Sequence, residues 1–284
     1  MTGSSPHEQA VTHAITPNQA LWEKGDFTRI AQTMRQSGDA FVTSLGITHG
    51  MRVLDVGCGD GTTAIPAARR GADVLGVDIA RNLVAAANAR AAAEGLGSCR
   101  FQQGDVMDLA DVDDASSDLT ISIFGAMFAP RPMEAAEELV RVTRAGGRIV
   151  MGNWIPGDPT LVAQILRISS AYTPAPPAGF VSPMMWGVES EVVDRFAAAG
   201  IPAERIVCAR DQWVFRHDGS PDSLLALFRA YYGPTMNAFD AATAAGKADA
   251  LYDELAALFA AQNSSARADR TEIAATFLRV EVRR

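Results

Sequence analysis

Only three of the 284 residues are cysteines, Cys58, Cys99 and Cys208, and no two of them form a C-x-x-C pair. Neither a disulfide framework nor a zinc knuckle is indicated, so a reduced, cytoplasmic protein is expected. Basic residues are in deficit, 25 Lys and Arg against 33 Asp and Glu, a formal net charge of −8. That balance argues against a broad electrostatic footprint for nucleic acid and against attachment to anionic lipid. No apolar run approaches the roughly 18 residues that a membrane span needs. The opening MTGSSPHEQAVTHAI has no basic region followed by a long apolar stretch, so it does not read as a secretory signal. With 24 Gly and 14 Pro the chain is not fibrous, and with 48% apolar and 20% charged residues it is not disordered. What remains is a globular chain of one large domain, or one and a half.

No internal repeat is visible. From Pro17 to Leu45 apolar residues recur three or four apart, the spacing of helices, with Gly25 and Gly38 expected to break the stretch into short pieces. A different pattern begins near residue 51. Short apolar strands at 52–56, 73–77, 99–102, 119–124 and 148–154 alternate with helical segments at 62–70, 82–94 and 133–143. Strand and helix in alternation with short connections predict parallel βαβ units and an α/β, doubly wound sheet. The alternation stops after Trp154. A proline-rich insertion over 155–187 holds one helix near 161–170, and a helix at 189–199 and a strand at 206–215 return to the core. Residues 220–262 are helical again, opened by Ser220-Pro221, a cap and a first-turn proline. The last segment, 273–282, suits a strand paired antiparallel with 206–215 at the edge of the sheet.

The stretch that carries chemistry is Val53-Leu54-Asp55-Val56-Gly57-Cys58-Gly59-Asp60-Gly61-Thr62. Three glycines at alternate positions, between a buried strand and a helix, let a ligand approach the backbone closely. In an open α/β sheet such a turn lies at the carboxyl ends of the strands, where these folds bind ligands. Asp78 closes the second strand 21 residues after Gly57, where a carboxylate can accept both hydroxyls of a ribose. Gly104-Asp105-Val106, after the third strand, adds an acceptor and an apolar surface.

The segments LDVGCGDG, GVDIA, GDVMDL, DLTISIFGAMFAP and LVRVTRAGGRIVMGNW, in that order over 53–154, resemble the ordered motifs of class I S-adenosylmethionine-dependent methyltransferases. The resemblance extends to the broad type-11, small-molecule group, in which helical additions surround the core. It implies a Rossmann-like, doubly wound seven-stranded sheet with an antiparallel last strand and helical lid insertions. The whole of 1–284 would form a single methyltransferase domain, with a core of about 50–154, 188–216 and 271–284 and lid segments at 16–46, 155–187 and 220–262. S-adenosyl-L-methionine is the implied cofactor and S-adenosyl-L-homocysteine its product. Gly57, Cys58, Gly59 and Thr62 would lie along the methionine part, with Asp55 beneath. Asp78 would take the ribose hydroxyls, Ile79 would lie against the adenine, Gly104 and Asp105 at its amine and Val106 at its face. Phe124 and Gly125 would border the sulfonium.

A nicotinamide dehydrogenase shares the fold, but its fingerprint wants a glycine three residues after Gly59, where Thr62 stands. A cofactor-binding regulatory or partner-dependent module without turnover is the alternative from a different class. For the enzyme, the expected reaction is in-line displacement driven by alignment of cofactor and acceptor. The candidates for a base are Glu23, Asp26 and His13. A cluster of carboxylates after the fourth strand is lacking, so no metal is expected. The expected partner is a small apolar or aromatic methyl acceptor, with a homodimer left open. Its pocket is expected from Trp22, Phe27, Met127 and Phe128, then from Met185 and Trp186 of the proline-rich loop. Tyr231 and Tyr232 are placed to orient its polar group.

Overall fold

The computed structural model describes residues 15–284. Five parallel strands build one side of a single sheet: β1 (Arg52–Val56), β2 (Asp73–Asp78), β3 (Cys99–Gln103), β4 (Ser117–Ile123) and β5 (Thr143–Trp154). Two more, β6 (Ile206–His217) and β7 (Thr271–Arg283), complete the order β3-β2-β1-β4-β5-β7-β6. The chain reverses its lateral direction at β1 and β4, which opens a crevice above the carboxyl ends of those two strands. The last strand is antiparallel, as expected, but it is not at the edge. β7 lies between β5 and β6, antiparallel to both, with Met151 opposite Val280 and Trp213 opposite Ala275. Its apolar residues are correspondingly buried on both faces, whereas β6, the true edge, leaves Val207 58% exposed.

Helices α3 (Ala64–Arg69), α4 (Arg81–Ala93) and α5 (Pro132–Val142) join the parallel strands, as the alternation predicts. At the N-terminal end, α1 (Pro17–Glu23) is capped by the Thr16 hydroxyl, which accepts from the Gln19 N–H. Gly25, at φ +73°, ends that segment, since a left-handed residue cannot continue a helix. Gly38 does not act as a break. It lies inside α2 (Thr28–Thr43), a continuous helix that buries Ile30, Phe41 and Val42 and packs on β6.

Close packing accounts for this glycine. A Cβ built at Gly38 would stand 2.6 Å from the Thr62 carbonyl oxygen and 2.7 Å from its methyl, at the end of the glycine-rich loop. Helix α2 can lie against that loop only without a side chain. Gly38→Ala is therefore expected to lose about 1–3 kcal/mol in chemical denaturation, although alanine is the better helix former by about 1 kcal/mol. An unchanged or higher stability would show that the two segments separate freely.

The remaining helices are α6 (Leu161–Ser170), α7 (Glu189–Ala198), α8 (Pro221–Tyr231), α9 (Gly233–Ala244) and α10 (Ala248–Gln262). α6, α8, α9 and α10 pack on one another, and α1 touches α9 and α4. The second half of the proline-rich insertion goes elsewhere. Its 3-10 turn Pro183–Gly187 packs on β5 and α7. Gly187 makes that approach feasible, because a Cβ there would stand within 2.1 Å of the Trp154 carbonyl oxygen. No described helix is long and apolar enough to cross a membrane.

Candidate active site

The loop after β1 is shaped by three left-handed glycines, Gly57 (φ +69°), Gly59 (+54°) and Gly61 (+84°). A Cβ at Gly57 would come within 2.5 Å of Gly125 Cα, so the loops after β1 and β4 touch backbone to backbone. At Gly59 the surroundings are the reverse. No protein atom lies within 4 Å of where its Cβ would be, and Gly59 lines a cleft of about 930 Å³ that opens to solvent.

The Asp78 carboxylate is pinned at the head of this cleft. Its Oδ2 accepts from the Gly59 N–H at 2.8 Å, and its Oδ1 accepts from the Ala80 N–H at 2.9 Å. Burial pushes its pKa upward, opposed by these backbone hydrogen bonds. Gly104 donates its N–H to the Asp78 carbonyl at 3.0 Å and lies so close to Val77 that a Cβ would overlap it. Asp105 follows, with Oδ1 accepting from the Met107 N–H at 3.0 Å and its remaining lone pairs free in the cleft wall. The Cys58 thiol, buried in the loop, is held protonated by desolvation and by the neighbouring carboxylates.

Asp55 is the exception among the residues expected around a cofactor: it does not line the cleft. It is buried behind the glycine loop, where Oδ2 accepts from the Thr63 hydroxyl at 2.6 Å and Oδ1 has no partner. Desolvation pushes its pKa up to about 7. The other eleven, Gly57, Cys58, Gly59 and Thr62, then Asp78, Ile79, Gly104 and Asp105, then Val106, Phe124 and Gly125, all line it. Asp60 lines the cleft as well, with no signal in the sequence beyond its place in the loop. This fully buried carboxylate ties α2 to α4 through Arg35 at 2.8 Å and Arg90 at 3.1 Å, and accepts from the Thr62 hydroxyl at 3.2 Å.

Beyond Phe124 the cleft becomes aromatic. Phe124 has a left-handed backbone (φ +58°), a strained conformation of the kind that concentrates at functional sites. Its ring is stacked on Trp154 at 3.7 Å and meets Trp213 edge-on at 5.2 Å. Opposite, Trp22 of α1 packs edge-on against Phe27 (5.7 Å) and Phe128 (4.8 Å). Trp22, Phe27 and Phe128 line the cleft as expected, together with Asn18, Met34 and Trp213, which the sequence did not single out.

Five of the expected acceptor residues do not line it. Met127 is buried, and Trp186 is sealed between Phe196 and the Arg195 guanidinium, 4.7 Å above its ring. Met185 belongs to the same 3-10 turn, is half-buried and does not line the cleft. Packing on the sheet and α7 thus covers Trp186 without a pocket, while Phe180 and Val181 of the same loop stay exposed. Tyr231 lies under Arg29, and Tyr232 backs the aromatic wall at 6.2 Å from Trp22 and 6.1 Å from Phe27.

Residues 54–151 match the family described as "Methyltransferase domain". A protein of Mycobacterium tuberculosis without an assigned function is 35% identical over 243 residues, covering 84% of this chain and 85% of that protein. The nocamycin O-methyltransferase of Saccharothrix syringae is 39% identical over 110 residues, covering 38% of this chain and 39% of that one. Among solved structures, the YcgJ protein of Bacillus subtilis superposes with a TM-score of 0.56 at 20% identity, covering 88% of this chain and 98% of that one. The chain belongs to the class I S-adenosylmethionine-dependent methyltransferases.

The cofactor of this methyltransferase is S-adenosyl-L-methionine, and the donor set fits it. A carboxylate at the end of β2, an open backbone surface at Gly59 and an acceptor at Asp105 offer polar contacts along one side of the cleft. Two of the candidate bases, Glu23 and Asp26, do not reach this site. Glu23 accepts from Arg81 at 3.0 Å and from Gln19, and these contacts pull its pKa to about 2. Asp26 accepts from the Thr28 N–H at 3.2 Å and from the Thr28 hydroxyl, opening α2. Neither lines the cleft. His13 lies outside the described residues. Burial pushes the Tyr232 phenol upward, so it stays protonated.

Proposed function

We propose that this methyltransferase acts in the cytoplasm on a small apolar or aromatic molecule, which enters beside Phe124 under the aromatic wall of α1 and α2. The observation that carries this reading is the division of one cleft into two halves. The half at the ends of β2 and β3 carries the carboxylates Asp78 and Asp105 among Ile79, Leu83 and Val106, while the half formed by Trp22, Phe27, Phe128 and Trp213 is aromatic. S-adenosylmethionine supplies a methyl on a positively charged sulfur, which leaves with its electron pair as the neutral thioether of S-adenosylhomocysteine. Asp78 would hold the ribose hydroxyls, the loop from Gly57 to Gly59 the methionine part, and Asp105 with Val106 the adenine.

The protein's contribution would be alignment and exclusion of water. With Glu23 committed to Arg81, Asp26 to Thr28 and Tyr232 protonated, none of these supplies a base. An acceptor that arrives with its proton already lost would need none of them. The three cysteines are free, as a reducing compartment favours. Two relatives are named as O-methyltransferases, of nocamycin and of ubiquinone biosynthesis, which favours an oxygen acceptor. We read the chain as a single domain in which α1 covers the acceptor half of the cleft.

Incubation with S-[methyl-14C]adenosylmethionine and a panel of phenols, amines and thiols tests the reading. Transfer of label to at least one acidic aromatic oxygen acceptor is expected. Cofactor binding in calorimetry with no transfer to any panel member would favour a binding module without turnover.

A further inference from the structure

Trp213 presents a buried hydrogen-bond donor that the fold leaves unused. It is 1% exposed, lines the cleft, and its indole N–H has no acceptor among the described residues. Three aromatic rings stand against it: Phe124 at 5.2 Å, Phe41 at 6.0 Å and Phe277 at 6.2 Å. None of these offers a lone pair. A buried donor left unpaired is costly, and native proteins keep few of them without a reason. Indole N–H groups in apolar surroundings ordinarily find a partner.

The position of the tryptophan matters as much as its orphaned donor. Along the sheet order, Asp78 closes β2 and Phe124 follows β4, whereas Trp213 comes from β6, at the opposite edge. It therefore enters the cleft from the side away from Asp78, meeting the rest of the wall at Phe124. A ligand atom that satisfied its N–H would belong to whatever occupies the aromatic half.

We infer that Trp213 is a specificity-determining residue whose indole N–H donates to an oxygen of the methyl acceptor. This rests on the two-substrate cleft proposed above. The acceptor class is a flat conjugated molecule carrying a carbonyl oxygen or oxyanion next to the nucleophile, such as an enolised dicarbonyl or an acyl phenol. The flat ring suits Phe124, Trp22 and Phe27, and conjugation with a carbonyl lowers the pKa of the attacking hydroxyl. Such an acceptor ionises near neutral pH without help from Glu23 or Asp26, which are engaged elsewhere. The N–H holds the carbonyl oxygen and leaves the second oxygen, the nucleophile, free to face the methyl.

The test uses the full-length protein saturated with S-adenosylhomocysteine and labelled at indole nitrogen. It has four indole signals, from Trp22, Trp154, Trp186 and Trp213, and Trp213→Phe assigns the last. The probes are 4-hydroxycoumarin, a flat hydroxy-carbonyl, and naphthalene, of the same shape without oxygen. With 4-hydroxycoumarin the Trp213 N–H proton should move downfield, while that of Trp186 stays in place. Trp186 is an internal control, since its N–H is also buried and unpaired but does not line the cleft. Trp213→Phe should bind 4-hydroxycoumarin about five- to tenfold more weakly, the worth of one such bond. It should keep its affinity for naphthalene and for S-adenosylmethionine. An unmoved Trp213 proton, or equal 4-hydroxycoumarin affinity in the variant, would overturn the inference. If the wild type bound no S-adenosylmethionine in calorimetry, the cleft reading itself would fall. Normal cofactor binding with an unresponsive Trp213 removes only the inference.

Discussion

Asp78→Ala is expected to weaken S-adenosylmethionine binding by at least about 100-fold, measured by titration calorimetry. A hydrogen bond to a charged group contributes about 1.5–3 kcal/mol. A carboxylate that accepts from two ribose hydroxyls therefore accounts for about 3 kcal/mol or more, and 100-fold corresponds to about 2.7 kcal/mol. The geometry is suited to that task because the carboxylate cannot turn away. Gly59 and Ala80 hold one oxygen each at 2.8 and 2.9 Å, so no rotamer has to be fixed on binding. The same bonds mean that alanine also releases the loop at Gly59. Asp78→Asn separates the two effects: its amide oxygen can still accept a backbone N–H while the charge is lost. It should keep the melting temperature better than alanine and lose cofactor affinity about tenfold. Unchanged affinity in both variants would remove Asp78 from the site.

Much of this site was legible before the fold was known, for a reason that Asp78 illustrates. Strand, glycine turn and helix follow one another locally, and the parallel sheet brings every such turn to the same edge. Knowing that Gly57, Asp78, Gly104 and Phe124 each follow or close a strand was enough to bring them together. What stayed hidden depends on contacts between distant segments. The partner of Glu23 is Arg81, 58 residues on, and nothing in the helical spacing of α1 announces it. Gly38 looked like a helix break because the Thr62 carbonyl that excludes its side chain belongs to another element. Trp186 and Trp213 are both apolar residues at buried positions. Only the fold shows that the first is covered by Arg195 and Phe196 and the second borders the cleft. Alternation along a strand tells which face a residue takes, not whether that face meets a helix or a cavity.

Asp55 leads to the other large effect, one of pH. Its pKa is pushed up to about 7, first by desolvation and then by the nearby charge of Asp78, against the opposing bonds from the Thr63 hydroxyl and the Ala64 backbone. In the unfolded chain the same group titrates near 3.9. Between these values the unfolded state releases its proton while the native state keeps it. The group's contribution to stability is thus complete below about pH 4 and is lost as the pH rises through about 7. A difference of about three pKa units corresponds to about 4 kcal/mol. Asp55→Asn carries no titrating proton, and its amide oxygen can still accept from the Thr63 hydroxyl. Its stability relative to wild type, from denaturant unfolding, should therefore improve by about 3–4 kcal/mol between pH 4 and pH 8. The variant's own profile should become flatter without becoming level, because Asp78 is shifted in the same direction and is still present. Parallel profiles for the two proteins would mean that Asp55 is already ionised when buried. That would require the Thr63 hydroxyl and the Ala64 backbone N–H together to outweigh the desolvation of the carboxylate.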